Sequence, residues 1–338
     1  MLRHEFHTDE PFVFEAGGRL DSLSLVFYTS DRDYKPSDEV VWICHTITSN
    51  ADPEDWWPSM VGKGKLFDTD KYFVICVSLI CSPYGSSCPA SINPATGKPY
   101  LLSFPRTTVR DTVRANILVR EFLGIEKIHF LIGPSVGGFQ AVEWAVIEPE
   151  RIENLAMLAS GVRVTPYLTA FNESQRLAIL ADSSYLAAES VDGGKAGLRC
   201  ARSIALISYR SSEGYNRTQP ERDEDTLFAD RAASYQRYQG DKLLARGFDA
   251  YSYTYLSYIL DSMNIGRGRG GIEAALSKIK ARTLIINIES DGLFPTKTGR
   301  DAAAMIPHSE FYVISSDFGH DGLFLEPEQM EVIVKPLL

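Results

Sequence analysis

The chain has little that would tie it to nucleic acid, a membrane or a disulfide framework. Its 338 residues carry 34 Lys and Arg against 44 Asp and Glu, a net charge of −10. Without a basic excess there is no electrostatic source for binding nucleic acid or an anionic lipid surface. The one basic run, Gly266-Arg267-Gly268-Arg269-Gly270-Gly271, is short and isolated, and reads as a flexible loop between helical segments. No apolar stretch approaches the roughly 20 residues of a membrane helix; Tyr72–Cys81 is among the longest. The N-terminus, MLRHEFHTDEPF, has no apolar core of a secretory signal, so the expected compartment is the cytoplasm. Five cysteines without compact spacing give neither a disulfide framework nor a zinc motif. Cys81 and Cys88 flank a loop and could pair, but reduced thiols are expected. There is no phosphate loop, no dinucleotide glycine pattern, no cluster of metal ligands, no repeat and no low-complexity tract.

What remains is an ordinary globular composition, 44% hydrophobic and 23% charged, in a chain longer than one typical domain. It is organised around Ile128–Trp144, IHFLIGPSVGGFQAVEW. An apolar run, Ile128–Ile132, breaks at Gly133-Pro134-Ser135-Val136-Gly137, and a helical apolar period follows. A Gly-x-Ser-x-Gly element between a strand and a helix is the context of a nucleophile elbow. The sharp turn tolerates little bulk, hence glycine on both sides of Ser135. The serine stands at the carboxyl end of its strand, above a helix N-terminus whose N–H groups favour negative charge.

Short apolar runs predict strands within residues 20–30 and at Val40–Cys44, Phe73–Leu79, Ile128–Ile132, Leu155–Leu158, Thr283–Ile288 and Glu310–Ile314. Residues 82–106 are too rich in Pro, Gly and Ser for regular structure. Thr108 is a predicted N-cap, with Val109, Val113, Ile117 and Phe122 on the buried face and Gly124 as the stop. Strand and helix alternate with short connections, which implies an α/β chain with a mostly parallel sheet. Residues 161–275 break the rhythm: helices are predicted near Asn172–Leu186, Gly194–Ser208, Asp225–Arg246 and Ser252–Met263, with no buried strand. The expected organisation is a core in two parts, 1–160 and 276–338, with a helical cap at 161–275.

A serine hydroxyl needs a base, and the base an orienting carboxylate. In such sheets the chain order is Ser, acid, His. His320, just past the last strand, is the preferred base. His308 sits in a solvated turn, His129 lies mid-strand as a satisfied core residue, and His4 and His7 are near the terminus. His45, at a strand end, is the rival. The acid follows TLIINI: Asp291 is preferred, since it falls in the turn, and Glu289 is the alternative. The backbone N–H groups of Ile47 and Val136 are the expected oxyanion donors.

Ordered motifs then accumulate. They include Cys44-His45-x-x-Thr48, Tyr84-Gly85-Ser86-Ser87, Thr108-Val109-Arg110-Asp111, the elbow with Gln140-Ala141-x-Glu143-Trp144, Ala170-Phe171-Asn172-Glu173-x-x-Arg176, Ser208-Tyr209-Arg210-Ser211, Ser290-Asp291-x-Leu293-Phe294-Pro295 and Gly319-His320-Asp321. Over most of its length the chain resembles the homoserine O-acetyltransferase family of α/β-hydrolase-fold enzymes. The resemblance implies an α/β-hydrolase fold with an inserted helical cap, and ping-pong transfer of an acetyl group from acetyl-CoA, a co-substrate, through Ser135 to homoserine in methionine biosynthesis, with no bound cofactor. It implies Arg176 on the acceptor carboxylate, Asp321 on its ammonium, Tyr209 and Thr48 completing the pocket, and a homodimer built through the cap helices. The chain departs from the family pattern at Pro134, Val136, Ser49, Pro83, Cys88 and Phe318, around the pocket mouth. Hydrolysis, another acyl donor or acceptor such as succinyl-CoA or serine, and a non-catalytic binding protein on the same fold are the competing expectations.

Overall fold

The computed structural model describes every residue except Ala188. Eight strands form the central sheet: β1 (Leu2–Thr8), β2 (Leu23–Thr29), β3 (Val40–Ile43), β4 (Phe73–Val77), β5 (Ile128–Pro134), β6 (Ile152–Leu158), β7 (Arg282–Ile288) and β8 (Ser309–Ile314). Their spatial order is β1-β2-β4-β3-β5-β6-β7-β8. The β1–β2 and β2–β4 pairs are antiparallel; all others are parallel. The central strands are buried along almost their whole length, as continuous apolar runs on a doubly covered sheet require. One large apolar cluster lies on one face, around Trp42, Phe139 and Trp144, and a second on the other, around Val41, Phe130 and Ile286.

Helix α1 (Val109–Phe122) opens with a capping box: the Thr108 side chain takes the Asp111 N–H, and the Asp111 carboxylate takes the Thr108 N–H. Val109 and Val113 are buried as expected. Phe122 is not; it is 61% exposed, because the buried face drifts to Asn116, Val119 and Arg120 by the last turn. Helix α2 (Val136–Ile147) follows the elbow and is buried over all but its last residue.

Between β6 and β7 the described residues form no strand. Helix α3 (Pro166–Leu180) begins six residues before the predicted start, because Thr165 caps it by accepting the Leu168 N–H and Pro166 fills the first turn. Helix α4 (Lys195–Tyr209), α5 (Arg231–Ala245) and α6 (Ala250–Asp261) follow, with a short helix at Ser212–Thr218 that the sequence pattern did not announce. Asp249 caps α6 through the Ser252 N–H. No helix among the described residues is long and apolar enough to cross a membrane.

The Gly-Arg run is not a flexible loop. Arg269 pairs with Glu143, Arg267 with Glu15, and Arg110 bridges both acids at 3.0 and 2.8 Å. Glu143 is buried on α2, so two arginines, Arg110 and Arg269, compensate a carboxylate the core would otherwise reject. All five cysteines are free thiols, four of them buried.

Candidate active site

The elbow is set by backbone contact. Ser135 has φ 57° and ψ −123°, a left-handed conformation that a non-glycine residue rarely adopts. Its N–H donates to Leu158 O, and its carbonyl accepts from the Ser160 hydroxyl at 2.7 Å. The glycines around it leave no room for a side chain. A Cβ on Gly133 would lie 2.0 Å from the Gly137 carbonyl, and one on Gly137 would lie 2.0 Å from the Cys44 carbonyl oxygen. The second contact presses the start of α2 onto the end of β3, which brings the loop Thr46–Ser49 beside Ser135.

His320 lies in a one-turn helix after β8, and Asp291 in the turn after β7. Asp291 Oδ2 meets His320 Nδ1 at 2.6 Å, while Oδ1 accepts the N–H groups of Leu293 and Phe294. Both oxygens of this buried carboxylate are therefore engaged, which fixes the imidazole plane and leaves Nε2 for proton exchange. Burial alone would lower the His320 pKa; the charge and hydrogen bond of Asp291, with Asp321 adding, outweigh it and raise it above the ordinary 6.5. Glu289 is exposed, with Ser315 as its partner, and does not serve as the acid.

His45 is not a base. It is fully buried, its Nε2 accepts the Leu79 N–H at 3.0 Å, and its Nδ1 therefore donates to Thr46 O. Burial pushes its pKa down to about 4, so it stays neutral and props the loop. His129 is half-buried and meets Glu153, rather than lying in the core.

Ser135 and His320 line one cavity of about 360 Å³. Ile47, Thr48, Tyr209 and Asp321 line it too. Neither the Ile47 nor the Val136 N–H donates to another group among the described residues. The Tyr209 ring stands 6.0 Å from that of His320, and burial raises the Tyr209 pKa, so the phenol stays protonated.

Arg176 is elsewhere. It is buried on α3 away from the cavity, with Glu173 at 2.7 Å, Asp261 at 2.8 Å and the Ser257 hydroxyl at 2.9 Å, and it stacks over Tyr258. Two carboxylates already neutralise it, so the expected role on the acceptor carboxylate is corrected: Arg176 ties α3 to α6. The cavity has three other arginines. Arg210 is paired with Asp321 at 2.9 Å, and Arg246 reaches Asp55 at 3.4 Å. Arg202, on α4, has no carboxylate partner among the described residues, and its Nε and Nη1 are buried without any hydrogen bond. A half-buried guanidinium with two nitrogens left unsatisfied is costly and marks a place for an anion. The sequence signal was available: Arg202 lies seven residues, two helical turns, before Tyr209 on the same helix face.

The cap and the base are interlocked. Arg210 holds Asp321, the Ser211 hydroxyl donates to Asp317 O, and Arg217 pairs with Asp317 at 2.6 Å while covering Phe318. A Cβ on Gly319 would lie 2.6 Å from the Ser211 nitrogen, and one on Gly214 would lie 2.6 Å from the Asp317 carbonyl oxygen.

A strand-turn-helix nucleophile, an acid after β7, a histidine after β8 and this strand order match a known architecture. Residues 39–327 fit the family model of the alpha/beta hydrolase fold. A homoserine O-acetyltransferase of Cyclobacterium marinum is 40% identical over 99% of this chain and 95% of its own length. The chain belongs to the homoserine O-acetyltransferase family. The crystal structure of homoserine O-acetyltransferase from Bacillus anthracis superposes with a TM-score of 0.90 at 24% identity, covering 99% of this chain and 97% of that one. Esterase E22 superposes with a TM-score of 0.88 at 23% identity, covering 99% of each chain. At those identities the two structures speak for the fold alone, and members of this fold family include both transferases and esterases by name.

Proposed function

We propose that the chain transfers an acetyl group from acetyl-CoA to the hydroxyl of L-homoserine through an acyl-Ser135 intermediate. The observation that carries this reading is the unpaired Arg202 in the same cavity as Asp321, Ser135 and His320. An α-amino acid is a zwitterion; Arg202 suits its carboxylate and Asp321 its ammonium. An esterase acting on a neutral ester has no use for a half-buried cation without a carboxylate partner.

In the first half-reaction Ser135 Oγ attacks the thioester carbonyl as its proton passes to His320 Nε2. The Ile47 and Val136 N–H groups receive the developing oxyanion. Collapse breaks the C–S bond, His320 returns the proton to sulfur, and CoA leaves. In the second half the homoserine hydroxyl gives its proton to His320 and attacks the acyl-serine carbonyl; collapse breaks the acyl–Oγ bond, His320 returns the proton to Ser135 Oγ, and O-acetylhomoserine leaves. Asp291 holds the imidazole through Nδ1 and stabilises the imidazolium. Tyr209 and Thr48 complete the acceptor pocket. The scheme needs no bound cofactor.

The rest of the reading is that the enzyme works in the cytoplasm, on the route to methionine, as a homodimer joined through the cap. Exposed apolar side chains on α3 and α4, Leu177, Leu180 and Ile207, support the last point; light scattering measures it.

The test mixes the protein with acetyl-CoA, with and without L-homoserine, and follows free thiol, O-acetylhomoserine and intact mass. Acetylated protein and homoserine-dependent thiol release are expected. Thiol release at the same rate without any acceptor would make the protein a hydrolase. No release and no acylated protein would make it a binding module.

A further inference from the structure

The catalytic cavity does not end at Arg202. A small second pocket, about 70 Å³, adjoins it and shares Thr48, Arg202, Gln239 and Arg246 with it. The remaining walls are Lys242 and Leu243 of α5, and no carboxylate lines it. Lys242 and Arg246 are exposed, so this branch opens to solvent between α5 and the loop Thr46–Ser49. Lys242 makes no ion pair among the described residues. Arg246 has only the long 3.4 Å contact to Asp55. On a chain of net charge −10, a branch of the active-site cavity walled by three cations and no anion is a local reversal of field.

We propose that this branch is the donor channel: Lys242 and Arg246 hold the phosphate groups of a nucleotide-bearing acyl thioester, while its acyl arm reaches past Arg202 to Ser135. The proposal rests on the function given above and adds the residues that select the donor. A thioester delivered on a phosphorylated handle needs its charge matched outside the apolar catalytic end. Exposed cations in the last turn and C-cap of α5 do this with little desolvation cost. Shared use of Arg202 is consistent with ping-pong order. CoA departs before the acceptor arrives, so one guanidinium can face the donor arm first and the acceptor carboxylate second.

The experiment compares two donors, acetyl-CoA and the phosphate-free S-acetyl-N-acetylcysteamine, in the whole protein and in Lys242→Glu/Arg246→Glu. The double charge reversal is expected to raise the KM for acetyl-CoA about tenfold or more, and to raise that for the phosphate-free thioester far less. The KM for acetyl-CoA in the unaltered protein should rise with ionic strength, while that for the other thioester stays level. Equal changes for the two donors, or none, overturn the proposal, and circular dichroism and melting of the double variant separate that outcome from misfolding. A Lys242→Ala variant, at an exposed position, gives the same donor comparison if the reversal does not fold. If the unaltered protein is acylated by neither donor, the acyl-transfer reading itself fails and the channel falls with it.

Discussion

The two ends of the cavity are built by different means. At the catalytic end the main chain does the placing: Ser135 is forced out by a left-handed φ, Asp291 is held by two backbone N–H groups, and the loop bearing Ile47 is pressed against α2 through Gly137. At the proposed acceptor end side chains do it: Arg202 and Tyr209 project from one cap helix and Arg210 from the residue that ends it. Backbone placement tolerates almost no change of residue. Side-chain placement lets the same sheet rim serve different substrates through changes in the helices above it.

The most severe test of the catalytic end is Ser135→Ala. Acylation by acetyl-CoA, read by intact mass, should vanish, with kcat down about 10⁶-fold. A label that still attaches to protein would name another nucleophile. Asp291→Asn should follow at about 10⁴-fold, because it leaves the imidazole without its anion and favours the wrong tautomer. At the acceptor end, Arg202→Gln should raise the homoserine KM about 100-fold and leave the burst of thiol release from acetyl-CoA much less affected. Its counterpart sharpens the contrast between the two arginines. Arg176→Gln should cost about 2 kcal/mol of stability in denaturant unfolding, by stranding the half-buried Asp261, with the homoserine KM nearly unmoved. Should Arg176→Gln instead raise that KM as far as Arg202→Gln does, the assignment of the two residues is reversed. The mildest effect is on pH. His320 must be neutral to accept a proton, and its pKa is raised. The acid limb of kcat/KM for acetyl-CoA should therefore have its midpoint above 6.5, and activity should climb as pH rises through it. A midpoint at or below 6.5 would show that burial, not Asp291, dominates the imidazole.

The same division decides how much could be read without coordinates. Strands were legible because a doubly covered parallel sheet needs unbroken apolar runs, and these are short and sharply bounded. The order of Ser135, Asp291 and His320 was legible because each sits where such a run stops. The proposed acceptor arginine was not. Arg176 and Arg202 both lie on amphipathic helices of similar pattern, and only the packing of α6 against α3, which delivers Asp261 and Ser257, shows that Arg176 is already satisfied. The Gly-Arg run failed for the same reason: its partners, Glu15 and Glu143, lie more than 120 residues away in the chain. Phe122 marks the smaller limit, where a helical stripe drifts off the core before the helix ends.

The tight meeting of Ser211 and Gly214 with the segment Asp317–Gly319 has a kinetic consequence. A lid free to swing would drag the general base off its nucleophile at every turnover, and two glycine contacts with no slack leave no bearing for such a swing. Traffic to the serine must then pass through fixed openings, so donor and acceptor queue at apertures of constant width, and turnover would track how fast each threads its way in and out.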